Sequence, residues 1–549
     1  MSYYHRYMNT LYSEPNPDAL DEFLSNPPGV VAVDAETVSL KNRFPIGLSI
    51  ASSPDESFYF PLYPDEHNPD VPWSILENTK ITKVFHNAPF DLSSIPIVHN
   101  LDMSNIADTN VMARLLNIEK HGLDDLTYEY MGERVEDAKQ VMQRYKAKDM
   151  RDLPEYEVAS KCSKDTTSTY YIYNKFWKEI SASPELTEAH SIDMQVIPLL
   201  IDMGSRGIHI HQEDRAELEE KLQQDYDFYK ARCEEEDINP ASNQQVGVML
   251  TKRGNHLKMT KSRKQMQVNV DALSMLDDPL AALVLQFRRA QKLLSTYIRP
   301  WGWEDRVYSS YNLDAIVGRI SSSNKNLQNI PFEIRYILCP DSGMFTSGDY
   351  SQEHLRILAA RSGDKEMLRI YEDGYYGGDI HQYLADKIHV PRKIAKTINY
   401  TILYGAEART IQRETKIPSR RRNQELIDGW KKTFYSAAAY IDYCAQVALH
   451  TGYAEPTLFG HRIRIPDSVW ENEGEEGVKR KGGNYPILGS DGEIMKRALL
   501  ICNKYNLPLA MTVHDSISCD GDIEFPVDEL ENITDIHIPF EVKKTMRWE

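Results

Sequence analysis

Two acidic residues in the second half of the chain lie where short strands are expected to end. Asp349 follows a short strand-like run, and Asp515 lies between two β-prone runs, as at the tip of a hairpin. Acids at strand ends from distant parts of a sequence can converge on one face of a sheet and hold a pair of Mg²⁺ ions, which prefer oxygen ligands. Either acid taken alone is more simply a turn or cap residue, so this interpretation needs further residues.

A basic and aromatic stripe is predicted on one helix of the same half. Arg392, Lys396 and Tyr400 follow Pro391 at intervals of four residues, which places them on one helical face. Two cations and an aromatic ring on that face form a cradle for a triphosphate with a base above it. The alternative is a surface charge stripe with an anchoring tyrosine.

A second group of acids occurs in the first half. Asp34 and Glu36 share one side of a predicted strand because residues two apart point the same way, while Asp91 and Asp165 add carboxylates further along. Four acids suit two metals that activate water and stabilise a leaving 3′-oxygen. An isolated D-x-E is usually a surface strand end.

The elements that position these acids change along the chain. Up to about residue 180, strands and helices alternate, which predicts an α/β layer fold. Strands are expected at 29–33, 46–50, 57–61 and 83–87, and helices at 107–117 and 155–177. From about 190 to 300 the pattern is helical, and beyond 310 strands and helices alternate again.

Two charged segments stand out. Residues 251–270 carry six Lys or Arg and no acid, which indicates either a solvated loop or a surface that contacts phosphates. The acidic residues 471–476 are expected to form an exposed loop.

Composition limits the class of protein. The 549 residues, 41% hydrophobic and 26% charged, are too many for one core and predict a multi-domain globular protein. No apolar run is long enough to span a bilayer, and the six cysteines form no C-x-x-C pair, so a soluble, intracellular protein without a membrane partner is expected. The net charge of −19 would argue against a nucleic-acid partner. It is an average over the chain, however, so a locally basic surface could still bind nucleic acid.

From about residue 190 to the C-terminus, these segments together resemble the family A DNA polymerases, the family of bacterial DNA polymerase I and many phage replicases. In that family the Asp of D-Y-S-Q and the Asp of H-D-E hold two metals. The resemblance implies that Asp349, Asp515 and the backbone of Tyr350 bind two Mg²⁺ ions, with Mn²⁺ as an alternative. Lys396 is implied as a catalytic cation.

The family's other motifs assign nucleotide and DNA contacts. Residues expected to bind the incoming dNTP are Arg392, Lys396, Tyr400, Tyr404, His381 and His354. Residues expected to contact primer-template DNA are Arg319, Asn326, Gln328, Arg480, Asn484 and His514, together with Lys252, Lys258, Lys261 and Arg263 of the basic segment.

The first half resembles the DEDD 3′–5′ exonuclease domain that this polymerase family carries. Asp34, Glu36, Asp91 and Asp165 are then its catalytic and metal-binding acids. The family's last motif has a Tyr four residues before the final Asp, whereas this chain has Lys161. We predict an active exonuclease, with Lys161 holding a water or phosphate oxygen or else slowing the reaction.

Three departures concern the polymerase motifs. Ser516 replaces the Glu of H-D-E, and Leu488 replaces a duplex-contacting Gln. His354 stands where the family has a Glu that excludes the ribose 2′-hydroxyl, and Glu353 precedes it. Because adjacent helical residues point about 100° apart, Glu353 cannot replace that Glu.

The resemblance implies a multi-domain α/β and α+β architecture, an RNase H-like exonuclease domain followed by a right-hand polymerase. The predicted boundaries are 1–185 for the exonuclease and 186–549 for the polymerase, with thumb 190–305, palm 306–360 and 435–549, and fingers 361–434. We expect a monomeric, DNA-dependent DNA polymerase with proofreading that replicates phage DNA in the cytoplasm of an infected bacterium, with other phage replication proteins as partners. The alternatives are a polymerase for a modified nucleotide, a mainly nucleolytic enzyme, or a non-catalytic DNA-binding scaffold.

Overall fold

The structure is a computed structural model. It describes residues 17–63, 68, 71–99, 104–260, 264–302, 304–405, 411, 414–415, 417 and 419–548. None of the helices in these ranges has an apolar stretch long enough to cross a membrane.

The first part of the chain is a mixed sheet covered by helices. Its elements are α1 (Pro17–Ser25), β1 (Val30–Thr37), β2 (Pro45–Ala51), β3 (Ser57–Pro61), α2 (Trp73–Leu76), β4 (Thr82–Phe85), α3 (Ala88–Ser94), β5 (Ile106–Asp108), α4 (Thr109–Leu115), α5 (Leu123–Met131), α6 (Ala138–Tyr145) and α7 (Glu155–Ile180). The strand order is β3-β2-β1-β4-β5. Strands β1, β4 and β5 are parallel neighbours, whereas β2 and β3 are antiparallel. The predicted α/β layer is therefore confirmed.

Two boundaries differ from the sequence prediction. Strand β1 continues through Glu36 because its pairing with β2 extends to Thr37. The expected helix at 107–117 is shorter, since Ile106–Asp108 form the edge strand β5. The Asp108 carboxylate accepts hydrogen bonds from the backbone N–H groups of Asn110 and Val111, which makes it the N-cap of α4.

The second part alternates helical and mixed regions. Its elements are α8 (Pro184–Arg206), β6 (Ile208–Ile210), α9 (Gln212–Glu234), α10 (Asn243–Lys252), α11 (Val270–Ser274), α12 (Pro279–Lys292), α13 (Arg299–Trp301), β7 (Arg306–Val307), β8 (Ser310–Asn312), β9 (Ser321–Ser323), α14 (Phe332–Arg335), β10 (Leu338–Cys339), β11 (Phe345–Tyr350), α15 (Glu353–Ser362), α16 (Lys365–Tyr371), α17 (Ile380–Ile388), α18 (Arg392–Leu403), α19 (Arg420–Thr433), α20 (Tyr435–Thr451), α21 (Asp467–Lys504), β12 (Leu509–Val513), β13 (Ser516–Asp520), α22 (Val527–Glu531) and β14 (Phe540–Thr545).

A four-stranded antiparallel sheet, in the order β12-β13-β11-β14, lies at the centre of this part. Asp349 on β11 is opposite Ser516 on β13 and Glu541 on β14. The ring of Phe540 packs directly over Gly348, where an added Cβ would come within 2.0 Å of a ring atom. A glycine is therefore required beside Asp349.

The acidic residues 471–476 form part of helix α21, so the prediction of an exposed loop is wrong. Gly474 interrupts the regular helix with a φ of 65°, a conformation that glycine adopts without strain. The helix is long because its later turns are buried against α8 and α20, and that packing outweighs the poor helix propensity of its glycines.

The two parts of the chain are joined by buried charges. Arg114 of α4 and Lys496 of α21 both form ion pairs with Asp193 of α8, and all three side chains are at most 4% exposed. The Glu119 carboxylate makes a second connection, since it accepts hydrogen bonds from the backbone N–H groups of Asp467 (2.9 Å) and Ser468 (3.3 Å). A side chain of the first part thus caps a helix of the second.

Candidate functional site

The two acids of the second half are placed by neighbouring strands. Asp349 lies near the end of β11, and Asp515 lies in the two-residue turn between β12 and β13, as predicted. The backbone N–H of Tyr350 donates to the Asp515 carbonyl oxygen at 3.2 Å, which ties the turn to β11. Ser516 closes the turn through a 2.8 Å hydrogen bond from its hydroxyl to the Val513 carbonyl oxygen.

The charge at this centre is negative and only partly balanced. Desolvation, then the neighbouring carboxylates of Asp515 and Glu541, raise the pKa of Asp349 to about 7. Lys396 acts in the opposite direction, so its ammonium is close enough to affect Asp349. The raised pKa shows that negative charge is unfavourable at this pair unless a cation is nearby. The two carboxylates are therefore a suitable donor set for a hard divalent cation.

Helix α18 presents the predicted stripe. Arg392 and Lys396 are exposed, while Ala395 and Ile398 pack into the interior. The Arg392 Nε donates to Asp379 at 2.7 Å. Tyr400, two turns after Arg392, lies near the acids, since burial and then the charge of Asp515 raise its pKa to about 12.

His381 does not lie open on the stripe. Its side chain is 2% exposed, and its Nδ1 lies 2.9 Å from the Asn399 amide nitrogen. Trp430 donates its indole N–H to the Asn399 oxygen at 2.8 Å, so Asn399 connects a tryptophan to the histidine. Sequence analysis missed Asn399 and Trp430 because only their tertiary contacts distinguish them from core residues.

His354 belongs to a polar network. Its Nδ1 lies 2.8 Å from the Tyr404 hydroxyl, and its Nε2 faces the Arg319 guanidinium and, at 3.3 Å, an oxygen of Asp491. Asp491 also pairs with Arg319. Burial raises the pKa of Asp491, but His354 and Arg319 lower it to about 2. Sequence analysis missed Asp491, although it lies three residues after the unusual Leu488.

Glu353 and His354 are adjacent on α15, and both lie beside Asp491. The Glu353 side chain is 1% exposed, and burial followed by the charge of Asp491 raises its pKa well above the usual range. Glu353 is therefore a buried carboxyl group beside Asp491, separate from the exposed stripe.

The remaining predicted DNA contacts occupy several environments. Asn326 accepts from Ser322, and Gln328 donates to the Ile320 carbonyl. Asn484 is 6% exposed. Arg480 pairs with Glu473. His514, in the β12–β13 turn, has a φ of 56° and is exposed.

Within the basic segment, Lys252 and Lys258 are exposed, while Lys261 and Arg263 lie outside the described residues. A cleft of about 1590 Å³ brings Lys258 together with Tyr400, Tyr404 and Arg480. The cleft thus connects the basic segment with helix α18.

The four acids of the first half converge as predicted. Asp34 and Glu36 extend from β1, Asp165 extends from α7, and oxygens of these three lie within 4.8 Å of one another. Asp91 of α3 accepts from the backbone N–H of Ala35 at 2.9 Å. Burial, then Asp165 and Glu36, raise the pKa of Asp34 well above its usual range. This donor set also suits a divalent cation.

Lys161 lies among these acids. Its Nζ is 2.8 Å from Glu36 Oε1 and 2.6 Å from Asp165 Oδ2. Burial lowers the pKa of Lys161, but the carboxylates of Asp165, Glu36 and Asp34 together raise it well above the usual value. The Cys162 thiol donates to Asp34 at 3.3 Å. The ammonium is therefore in direct contact with two acids of the cluster.

Comparisons with known proteins match both parts. The sequence model of the family described as DNA polymerase family A matches residues 209–547, and that described as 3′-5′ exonuclease matches residues 10–181. DNA polymerase I of Synechocystis sp. is 28% identical over 568 residues, covering 92% of this chain and 56% of its own length. The thermostable DNA polymerase I of Thermus aquaticus is 30% identical over 299 residues, covering 48% of this chain and 35% of its own. The chain spans about half the length of the first of these relatives.

One solved structure shares the fold. The POL domain of Pol1 from M. smegmatis, in complex with DNA primer-template and dNTP, superposes with a TM-score of 0.80 at 20% identity, covering 96% of this chain and 97% of that one. The match to DNA polymerase family A extends over more than half of the sequence and includes Asp349 and Asp515. The match to the 3′-5′ exonuclease includes Asp34, Glu36, Asp91 and Asp165. The chain belongs to DNA polymerase family A and carries a 3′–5′ exonuclease domain.

Proposed function

We propose that this chain is a template-directed DNA polymerase whose reaction centre is formed by Asp349 and Asp515. The observation that carries the proposal is the electrostatic contact between these acids and helix α18. Burial, then Asp515 and Glu541, raise the pKa of Asp349, and Lys396 opposes that rise. Burial, then Asp515 and, less strongly, Asp349, raise the pKa of Tyr400. Acids that bind cations, close to a helix whose basic side chains bind phosphate, suit a nucleoside triphosphate.

In the proposed reaction the primer 3′-oxygen bonds to the α-phosphorus of the dNTP as the bond to pyrophosphate breaks, and the hydroxyl proton is lost to solvent. A pair of Mg²⁺ ions bound by Asp349, Asp515 and the Tyr350 carbonyl would lower the pKa of that hydroxyl and neutralise the leaving group. Lys396 and Arg392 offset the charge that develops on the departing phosphates.

The network around His354 sets the sugar specificity in this proposal. Tyr404 contacts Nδ1 of the imidazole, while Arg319 and Asp491 both contact Nε2. The ring is thus held at both nitrogens, and we place it where the family's Glu would meet the ribose 2′ position. A fixed ring excludes the extra hydroxyl by its bulk.

His381 has a supporting part, because its ring is buried against Asn399 and beside Tyr400. Its direct contact with phosphate stays a prediction.

The cleft binds primer-template DNA. Lys258 and Arg480 line it, and a positive cleft can bind phosphates although the chain as a whole has a net charge of −19. Residues 186–549 form the thumb, palm and fingers in this proposal. That the chain replicates phage DNA in a bacterial cytoplasm stays a prediction.

The Asp34 centre is proposed to remove the 3′-terminal nucleotide by hydrolysis. Its four carboxylates would hold divalent metal, which would activate the water for attack on the terminal phosphodiester. Asp34, Glu36 and Asp165 face one another across β1 and α7, which is the arrangement such a reaction needs.

Primer extension by the full chain tests the polymerase proposal. With Mg²⁺ and four dNTPs we expect extension that follows the template sequence, and loss of extension in Asp349→Asn and Asp515→Asn with DNA binding retained. Extension by either variant at the wild-type rate would show that the reaction centre lies elsewhere.

A further inference from the structure

The exonuclease centre contains a cation that the chain itself supplies. Lys161 precedes Asp165 by one turn of α7, and its ammonium bridges Asp165 Oδ2 and Glu36 Oε1 at 2.6 and 2.8 Å. The Lys161 side chain is 12% exposed. Strand β1 and helix α7 together hold the ammonium inside the cluster.

A divalent ion that used the same two oxygens would compete with this ammonium. Mg²⁺ binds carboxylate oxygens at about 2.1 Å, so an ion bridging Glu36 and Asp165 would lie almost in contact with Nζ. Two like charges that close in a poorly hydrated cluster repel strongly. The pair of oxygens therefore serves either the lysine or a metal.

The other side of the cluster has no such cation among the described residues. Asp91 of α3 is hydrogen-bonded to strand β1 at Ala35, the residue that follows Asp34, so Asp91 lies beside Asp34. Asp91 uses one oxygen to accept from the Ala35 N–H, which leaves its second oxygen for a ligand. Asp34 and Asp91 are then the carboxyl groups left for a metal ion.

Resting on the proposed function of this centre, we infer that Lys161 permanently replaces one of two divalent ions, so that the exonuclease centre binds one metal ion. Lysine thus supplies at this position the positive charge that a second metal would otherwise provide. The four carboxylates fit one divalent ion, and they do not fit two while Lys161 remains in place.

Counting Mn²⁺ bound to the full chain tests this directly. An Asp349→Ala, Asp515→Ala background removes the polymerase centre, and electron paramagnetic resonance measures the free Mn²⁺. We expect one bound ion in this background, two when Lys161→Met is added, and none above the nonspecific level when Asp34→Ala and Asp91→Ala are added instead.

Lys164→Met is the matched control. Lys164 lies on the same helix but pairs with Glu133, outside the carboxylate cluster, so its loss should leave one bound Mn²⁺. Two ions bound with Lys161 present would overturn the inference, since the lysine must then withdraw. One ion bound by Lys161→Met, or by Lys161→Tyr as a second variant, would overturn it as well.

Activity is measured separately on a primer with a mismatched 3′ end. If no variant digests the primer while the bound Mn²⁺ still rises from one to two, the proposed exonuclease function is wrong and the inference about Lys161 stands. If digestion occurs and the count stays unchanged, the inference is wrong and the function stands.

Discussion

The Asp349 centre and the Asp34 centre both combine carboxylates with a lysine, but the lysine comes from a different place in each. Lys396 is exposed on α18, an element separate from the strands that carry Asp349 and Asp515. Lys161 is buried on the same helix as Asp165 and touches two of the acids.

The two lysines differ in the group that each ammonium can contact. An ammonium across a cleft leaves the carboxylate oxygens free and can meet the phosphates of a substrate. By the inference above, an ammonium in contact with the carboxylates takes the place of a metal ion. In the proposed functions, the same residue type therefore meets the substrate phosphates in one centre and competes with a metal ion in the other.

The largest expected effect is that of removing the Lys396 ammonium, which should affect nucleotide incorporation and not exonuclease digestion. Lys396→Met should lower the rate of nucleotide incorporation by about 10³-fold, since a cation at departing phosphates contributes at least that much, and should leave exonuclease digestion unchanged. Lys393→Met, on the same helix and also exposed, is the control. Single-turnover insertion measures the effect; equal losses in both variants would mean that Lys396 has no special position.

The second prediction breaks the connection between the two parts. Asp193→Ala leaves Arg114 and Lys496 buried without their partner, which should cost about 3–5 kcal/mol of unfolding free energy. Urea unfolding followed by circular dichroism measures it. Asp202→Ala on the same helix removes only an exposed ion pair with Arg206 and should cost less than about 1 kcal/mol. Similar losses in both variants would contradict a stabilising role for the buried cluster.

The third prediction concerns the choice between dNTP and rNTP, which we propose for the Asp349 centre and not for the Asp34 centre. His354→Ala should lower the preference for dNTP over rNTP by roughly 10-fold to 100-fold, the range that a missing steric contact supplies. His354→Glu should retain the preference. Single-nucleotide insertion with each substrate measures it, and an unchanged preference in the Ala variant would assign the exclusion to another residue.

The fourth prediction concerns the pH dependence of stability, which we expect from His461 at the contact between the two parts. Burial lowers the pKa of His461 to about 4, below its value of about 6.5 in the unfolded chain, and Arg114, Lys496 and Asp193 surround it. Between pH 6.5 and pH 4, His461 is therefore protonated in the unfolded chain but neutral in the folded one. The free energy of unfolding thus decreases as the pH falls from about 6.5 towards 4.

Between pH 7 and pH 5 this histidine should cost about 2 kcal/mol of unfolding free energy. His461→Gln should reduce that loss, whereas His450→Gln, at an exposed position, should not. Urea unfolding at the two pH values measures the difference, and identical pH dependence in wild type and His461→Gln would refute it.

The smallest effect concerns the basic segment. Replacing Lys252 and Lys258 with Gln should reduce the slope of log affinity against log salt by about 1 for each phosphate that is no longer neutralised. Lys230→Gln, whose charge already pairs with Glu234, should leave the slope unchanged. Duplex binding by fluorescence anisotropy measures it, and an unchanged slope in the double variant would make the segment a solvated loop.

Much of the molecule could be predicted from local pattern. Alternating and apolar runs predicted β2 and β3 within a residue, and helical spacing predicted that Arg392, Lys396 and Tyr400 share a face of α18. The D-Y-S-Q and H-D-S segments predicted a strand end and a hairpin tip. These features depend on residues close in sequence, whose geometry the backbone periodicity fixes.

Only the tertiary structure decided what the residues that depart from the family pattern contact. Sequence spacing relates Lys161 to Asp165, but its contact with Glu36 requires α7 to pack on β1. Likewise, residues 319, 354, 404 and 491 form one network only because four distant elements meet there. Buried charges are stabilised by specific partners at short range, and those partners are set by long-range packing, which no local pattern in the sequence records.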